Sequence, residues 1–379
     1  MRIAFDIAAV WRGGAERVTL EVAAGLTDLG HDVLLIVNKR AEYFGEYADR
    51  VQIVELGRTN RWDARVLADI RRALRAFNAD VCVCVMFTAS LWGRLAAASL
   101  GCRVVIAEHS TTEKTLAERS AHILLGSVTD TVIACADAQV DALVRGGHPR
   151  RKIRVVRNGV DIGRFRRDTP GAKKMRHELG LPPEAAVLML VAAHRPEKRH
   201  DRFMLLIEQL HDAGVWVWGV MVGGGPLIAR TTALAKASPV AEWLRVTGPM
   251  VDMPAAYSAA DVVVLLSDDI ETFPLSFLEA QACEVPVVGM DIGGVRETLQ
   301  DGETGFVVEQ GDLAGMASSV AALLADPGRR ARIGQAGRAF VTEKLSTEAT
   351  VEGYLRILEK PARVSQPPVS KQVPKTGGW

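Results

Sequence analysis

The residues of this chain best suited to chemistry are two carboxylates with seven residues between them, Glu271 and Glu279. The run Ser267-Asp268-Asp269-Ile270-Glu271-Thr272-Phe273-Pro274-Leu275 follows an apolar, strand-like stretch at 262–266 and opens a helical pattern over 274–282. Proline in a first helical turn forfeits no hydrogen bond, and the unpaired NH groups between Thr272 and Leu275 face outward from the helix start. A carboxylate just ahead of such a helix suits sugar hydroxyls, while the NH groups suit a neighbouring phosphate. Glu279, one to two turns inside, suits a pair of vicinal hydroxyls such as a ribose presents. The plainer alternative for the same residues is a helix cap at Glu271 and a surface side chain at Glu279.

Four further loops carry residues of the right type. Gly13-Gly14 follows the first strand-like run and opens a helix, where backbone NH groups suit an anion. The spacing is not Gly-x-Gly-x-x-Gly, and no acidic residue is assignable to a nicotinamide ribose, which speaks against a dehydrogenase. Gly223-Gly224-Gly225-Pro226 is either a second phosphate loop or a plain tight turn. Asp291-Ile292-Gly293-Gly294 is placed to close over the Glu271 pocket. Lys198, in His194-Arg195-Pro196-Glu197-Lys198-Arg199 beyond the run 187–192, brings a cation suited to a diphosphate.

Loops can converge in this way only at one end of a sheet, and the chain has the pattern for two sheets. Short β-branched runs at 3–7, 33–37, 51–56, 81–86, 104–107 and 132–134 alternate with helical periodicity at 15–29 and 63–77. The alternation restarts with runs at 187–192, 215–222, 244–247, 262–266, 285–288 and 305–308, with helices at 202–213, 274–282 and 313–325. The predicted fold class is therefore α/β, with two Rossmann-like domains of parallel sheet facing a cleft. The expected division is 1–160 and 161–345, then a helix over 346–360 that returns to the first domain through Tyr354, Leu355 and Leu358, and a disordered tail over 361–379.

Composition excludes several classes. A length of 379 residues favours two domains. Lys plus Arg total 46 against 45 Asp plus Glu, a net charge of +1, which recruits no nucleic acid. Five scattered cysteines form neither a disulfide framework nor a structural zinc pattern and suit a reducing compartment. The longest wholly apolar run, 185–193, is about half the roughly 20 residues of a membrane span. A cytoplasmic protein, monomeric or weakly dimeric, is expected. Over 61–77, Arg61, Arg65, Arg71, Arg72 and Arg75 share one helix face, opposite Trp62, Val66, Leu67, Ile70, Leu74 and Phe77. That is a surface helix packed on a sheet. A second reading adds contact of the arginine face with a phosphorylated acceptor or, peripherally, with anionic lipid at the inner membrane face, and the basic stretch 145–167 supports it.

The residues taken together resemble retaining glycosyltransferases of family 4, which have the GT-B fold. The resemblance rests on Glu271 to Val288 (ETFPLSFLEAQACEVPVV), Gly293-Gly294, Asp301-Gly302-Glu303-Thr304-Gly305, Gly13-Gly14-Ala15-Glu16-Arg17, Arg157-Asn158-Gly159-Val160-Asp161 and Thr247-Gly248-Pro249. It spans about 1–358. It implies that Glu271 contacts the transferred sugar, that the backbone at Thr272, Phe273, Pro274 and Leu275 meets sugar or phosphate, and that Glu279 binds the nucleotide ribose. It further implies Lys198 on the diphosphate, Gly13 and Gly14 closing on the diphosphate from the other domain, Pro249 and Met250 beside the base, and His109 near the donor sugar. Where the family often has a Gly-Arg pair after the strand, this chain has Ala192-Ala193, and Arg195 is the candidate second cation. Thr272 stands where glycine is usual.

The implied activity is transfer of a sugar from a nucleotide-diphosphate sugar to a hydroxyl of a sugar, lipid-linked or small-molecule acceptor, in polysaccharide, glycolipid or glycoconjugate biosynthesis. No cofactor is expected. The chain has no Asp-x-Asp triplet and Asp268-Asp269 are adjacent, so no metal is expected and leaving-group charge falls to Lys198, Arg195 and helix NH groups. The alternatives are a sugar-nucleotide epimerase on the same architecture and a non-catalytic sugar-nucleotide-binding subunit.

Overall fold

The structure, a computed structural model, describes residues 1–10, 13–39, 47, 49–58, 63–111 and 114–359. Two wholly parallel sheets organise the chain. The first contains β1 (Arg2–Ile7), β2 (Asp32–Val37), β3 (Gln52–Glu55), β4 (Val81–Val85), β5 (Arg103–Glu108), β6 (Thr131–Ala134) and β7 (Ile153–Val155), in the order β3-β2-β1-β4-β5-β6-β7. The second contains β8 (Val187–Val191), β9 (Trp218–Val222), β10 (Leu244–Thr247), β11 (Val262–Leu265), β12 (Val287–Met290) and β13 (Gly305–Val308), in the order β10-β9-β8-β11-β12-β13. Strand order reverses beside β1 and β4 in one sheet and beside β8 and β11 in the other. Ligands of such sheets sit beyond the carboxyl ends of the strands at those reversals.

The central strands are apolar on both faces because helices cover both. Val81 to Val85 and Val187 to Leu190 are buried throughout, as a parallel sheet between helical layers requires. Helix Arg65–Phe77 seats Val66, Ile70 and Leu74 against the first sheet and leaves Arg65, Arg72 and Arg75 in solvent. Arg61 and Trp62 lie outside the described residues, as does the tail from 361. Two of the expected runs need correction, and the seventh strand of the first sheet is not among them. The run at 215–222 becomes a strand only from Trp218. Met86 ends no strand but begins helix Met86–Ala98 with a left-handed φ of 61°. β7 is a three-residue edge strand inside the basic stretch, too short and too polar to show as a period.

Helix Thr347–Leu358 returns to the first sheet's core. Val351, Tyr354, Ile357 and Leu358 pack with Ile3, Val22 and Leu26, and Leu355 lies at the edge of that cluster. Gly25 makes the approach feasible, since any side chain there would strike Val351. Arg103 donates to the carbonyls of Ile357 and Leu358 at 2.7 and 2.8 Å, closing the helix's C-terminal end. The two passages of chain between the sheets lie side by side. Val160 NH donates to the Leu345 carbonyl at 2.9 Å, and Thr347 NH donates to the Val160 carbonyl at 3.0 Å.

Candidate active site

The reversal of strand order in the second sheet brings Lys198 to Glu271. Lys198 ends the turn Pro196–Lys198 beyond β8, and Glu271 lies in the loop beyond β11. The Lys198 ammonium donates to Glu271 Oε2 at 2.6 Å, and the Ser267 hydroxyl donates to the same oxygen at 3.1 Å. Both charged groups are mostly withdrawn from water, with side-chain exposures of 19% and 9%. A pair so placed holds its geometry because each charge would be costly without the other.

The loop around Glu271 is fixed from both sides. Asp268 accepts from Arg199 and Arg202, which ties the β11 loop to helix His200–Asp212. Gly294 NH donates to the Glu271 carbonyl at 3.2 Å. Gly293 has φ 53° and lies so near that carbonyl that any Cβ would collide with it, so glycine is required there on two counts. Beneath the Lys198 turn, the rings of His194 and His200 stack at 4.0 Å. Burial pushes His200 down to about 4, so this support is uncharged at neutral pH.

The two domains meet at two helix starts. Helix Leu275–Ala282 begins directly after Pro274, and helix Gly14–Asp28 begins after Gly13. A Cβ at Gly14 would stand 3.2 Å from Leu275 Cδ1, so both N-termini open on the same space. Each contributes unpaired NH groups and the positive end of a helix dipole. The Glu16 carboxylate folds back over Gly13, where a side chain would strike it. Burial raises the Glu16 carboxyl, opposed by its own backbone NH and by the charge of Arg195 from the other domain. Arg195 is exposed at this same opening.

Glu279 is buried, which removes the surface-residue alternative. The Tyr257 hydroxyl donates to Glu279 Oε2 at 2.5 Å, and Arg17 of the first domain pairs with Oε1. Thr272 and Phe273 are buried beside Glu271. The Thr272 hydroxyl lies 3.4 Å from that of Thr111, which brings the loop after β5, with His109, against the Glu271 loop. Burial pushes His109 down to about 4, so its ring is neutral at pH 7. Pro249 is exposed against the Gly224 turn and Met250 is half-buried. These two lie on the β10 side of the cleft.

Among the described residues, one trio of metal-ligating type comes together, Glu108, His122 and His148, all buried. The sequence gives no spacing signal for it. Arg94, fully buried, donates to His122 Nδ1 at 3.2 Å, which places the ring hydrogen on Nε2, and Lys114 holds Glu108 at 3.3 Å. Two cations and a protonated Nε2 suit a buried charge cluster better than a cation site.

Two family models match in tandem: Glycosyltransferase Family 4 over residues 12–164, and Glycosyl transferases group 1 over residues 172–340. The chain belongs to glycosyltransferase family 4. Among the relatives of this family member, a GDP-mannose-dependent α-(1-6)-phosphatidylinositol monomannoside mannosyltransferase of Mycolicibacterium smegmatis is 35% identical over 48% of this chain and 49% of that protein. D-inositol 3-phosphate glycosyltransferase 2 of Catenulispora acidiphila is 34% identical over 61% of this chain and 57% of that protein. The matches thus span about half the length of these relatives. Anabaena HepE, crystallised with UDP, superposes with a TM-score of 0.82 at 18% identity, covering 94% of this chain and 99% of that one. The likeness shows the GT-B fold.

Sequence reasoning missed Arg17, Tyr257 and Ser267 as partners of the two glutamates, and the arginines that anchor Asp268. Arg17 stands inside the Gly13-Gly14 motif. Its charge, three residues after Gly14, was the available signal.

Proposed function

We propose that this family 4 member transfers a sugar, with retention of anomeric configuration and without a metal, from a nucleoside diphosphate sugar to an acceptor hydroxyl. The observation that carries the reading is Lys198 against Glu271 at the strand-order reversal, with two helix N-termini opening on the same space. The diphosphate lies between Gly13-Gly14 and the start of helix Leu275–Ala282, with Lys198 and Arg195 as counter-charges. Glu271 receives hydroxyls of the transferred sugar, and Glu279 receives the ribose hydroxyls. His109, neutral, lines the sugar's other side, and Pro249 with Met250 lies at the base. The bond from the anomeric carbon to the diphosphate breaks as the acceptor oxygen bonds that carbon on the same face. The acceptor's proton departs with the diphosphate, and no enzyme nucleophile is used.

HepE is recorded with UDP and with UDP-glucose, which supports a nucleotide-sugar donor. The relatives named for phosphatidylinositol mannoside support a lipid acceptor. Helix Leu116–Leu124 adds a surface for one. Leu116, Ile123 and Leu124 are 82%, 58% and 76% exposed on a helix that also exposes Arg119, and the basic stretch that follows exposes Arg145, Arg151 and Arg150, the last paired with Asp141. Exposed apolar side chains with an arginine on the same helix suit an anionic lipid surface. We place peripheral membrane contact there and not on the arginine face of helix Arg65–Phe77, which offers charge without large exposed apolar side chains. Among the described residues no helix is long and apolar enough to cross a membrane.

A screen of UDP-, GDP- and ADP-sugars, each with and without lipid and sugar acceptors, tests the reading through nucleoside diphosphate release and product mass. Transfer that requires an acceptor supports it. An altered donor sugar without acceptor indicates an epimerase, and binding without turnover indicates a non-catalytic subunit.

A further inference from the structure

Arg17 reaches from the first domain onto a carboxylate of the second. It lies in the first turn of helix Gly14–Asp28, pairs with Glu279, and holds Nε 3.4 Å from Glu21 Oε1. Its guanidinium carbon lies 5.7 Å from the centre of the buried Phe165 ring. Phe165 in turn meets Tyr257 edge-on at 6.2 Å. The socket around Arg17 therefore consists of an acid on its own helix, and an acid and two rings bound to each other across the cleft.

An ionised carboxylate offers about four lone-pair sites. Tyr257 occupies one on Oε2 of Glu279 and Arg17 one on Oε1. One site remains on each oxygen, the number that two vicinal hydroxyls need. A guanidinium remains charged at any working pH and presents its donors in a rigid plane, so it fixes orientation as well as charge. Burial pushes the Glu21 carboxyl up to about 7 against the pull of Arg17, so near neutrality Glu21 carries only part of a charge, and its oxygen lies farther from the guanidinium, at 3.4 Å, than that of Glu279. Because Arg17 and Glu279 belong to different domains, the orientation exists only while the domains are closed.

We infer that Arg17 is a positioning residue for the donor: it crosses the cleft to hold the Glu279 carboxylate in the orientation that receives the two ribose hydroxyls, which couples nucleotide binding to domain closure. The inference rests on the reading of Glu279 as the ribose ligand. Ribose and Arg17 then favour the same closed state, and each strengthens the other's hold on it.

The test is calorimetric titration of the full chain with UDP, GDP and ADP, and with the 2′-deoxy form of whichever binds tightest. The proteins are wild type, Arg17→Ala, Arg17→Lys, Glu279→Gln and the Arg17→Ala/Glu279→Gln double variant. Wild type should prefer the ribose form about tenfold, and Glu279→Gln should lose that preference. Arg17→Ala should weaken the ribose form about five- to twentyfold and also lose the preference, and Arg17→Lys should recover part of both. The double variant should bind no more weakly than Glu279→Gln alone, because the two side chains act as one unit. If Glu279→Gln loses the preference and Arg17→Ala keeps it, the inference is overturned and the ribose assignment stands. If Glu279→Gln keeps the preference, the ribose assignment itself fails. Additive losses in the double variant mean that Arg17 meets the nucleotide directly, which also overturns the inference. Should Arg17→Ala not fold, Arg17→Gln carries the same comparison.

Discussion

The Lys198 ammonium lies 2.6 Å from Glu271 Oε2, although the two residues belong to loops following different strands. Each is the other's counter-charge, and the proposed function gives each a separate task. Under the proposed function a diphosphate draws the lysine, and sugar hydroxyls replace it on the glutamate. The pairing spares either charge from standing alone where both are mostly withdrawn from water, which would cost several kcal/mol.

Replacement of either partner should damage chemistry more than folding. Glu271→Gln keeps the shape and the Ser267 contact but loses the charge, and kcat should fall about 10²–10³-fold, roughly 3–4 kcal/mol of transition-state stabilisation. Lys198→Ala should raise donor KM, lower kcat and reduce stability by about 1–3 kcal/mol, because Glu271 loses its partner. Steady-state kinetics with urea unfolding checks both. Wild-type turnover in Glu271→Gln would remove this glutamate from the site.

Glu16 occupies the opening proposed for the diphosphate, over Gly13 and within reach of the Arg195 charge. Glu16→Gln should therefore tighten nucleoside diphosphate binding about two- to tenfold by removing a like charge. Calorimetry reads the change directly. Weaker binding would show that Glu16 favours the donor instead of standing in its place.

The Leu116 surface predicts membrane binding that needs both apolar side chains and anionic lipid. Wild type should sediment with vesicles containing phosphatidylglycerol and much less with phosphatidylcholine alone. The Leu116→Asp/Leu124→Asp double variant should lose binding while its unfolding midpoint stays within a few degrees, since both side chains face solvent. Equal binding to both vesicle types, or unchanged binding by the variant, places the contact elsewhere.

The cluster around Arg94 predicts an acid sensitivity. Burial holds His148 down to about 3 and His122 to about 2, each helped by the positive charge of Arg94. An unfolded histidine binds its proton near pH 6.5, so between that value and about 3 the unfolded chain holds more protons at these positions. Stability contributed by the neutral histidines is then lost as pH falls, by up to about 1.4 kcal/mol per pH unit for each. The raised carboxyls of Asp6 and Glu21 work in the opposite direction, so a comparison of variants isolates the effect. His148→Gln should gain on wild type in urea unfolding as pH moves from 6.5 towards 4, and parallel curves would contradict the assignment.

What was legible in the sequence was local. The order of strand, loop and helix around Glu271 lies within about twenty residues, so its geometry follows from hydrophobic period and from a proline at the helix boundary, which the structure places just before the first turn. Lys198 was legible for the same reason, as a cation just beyond an apolar strand. The partners that complete the site were not. Arg17 meets Glu279 across the domain boundary, Tyr257 reaches it from a different helix, and Arg199 and Arg202 hold Asp268 from the start of the helix beyond another strand. Such contacts depend on which strands become neighbours, and period carries no record of that. Glu108, His122 and His148 show the limit plainly. Their spacing suggests nothing, yet β5 and the segments packed around it bring them together in the interior.

The most direct test of the account is proton NMR of the reaction mixture in the presence of EDTA, with an α-linked nucleotide sugar and the acceptor found in the donor screen. Counter-charge from Lys198, Arg195 and helix NH groups replaces a metal in this account, and attack and departure share one face of the sugar. The predicted spectrum shows the anomeric signal of an α-glycoside growing at the rate seen without chelator, as free nucleoside diphosphate appears. A β-anomeric signal, or a reaction that stops in EDTA and resumes with magnesium, would contradict it.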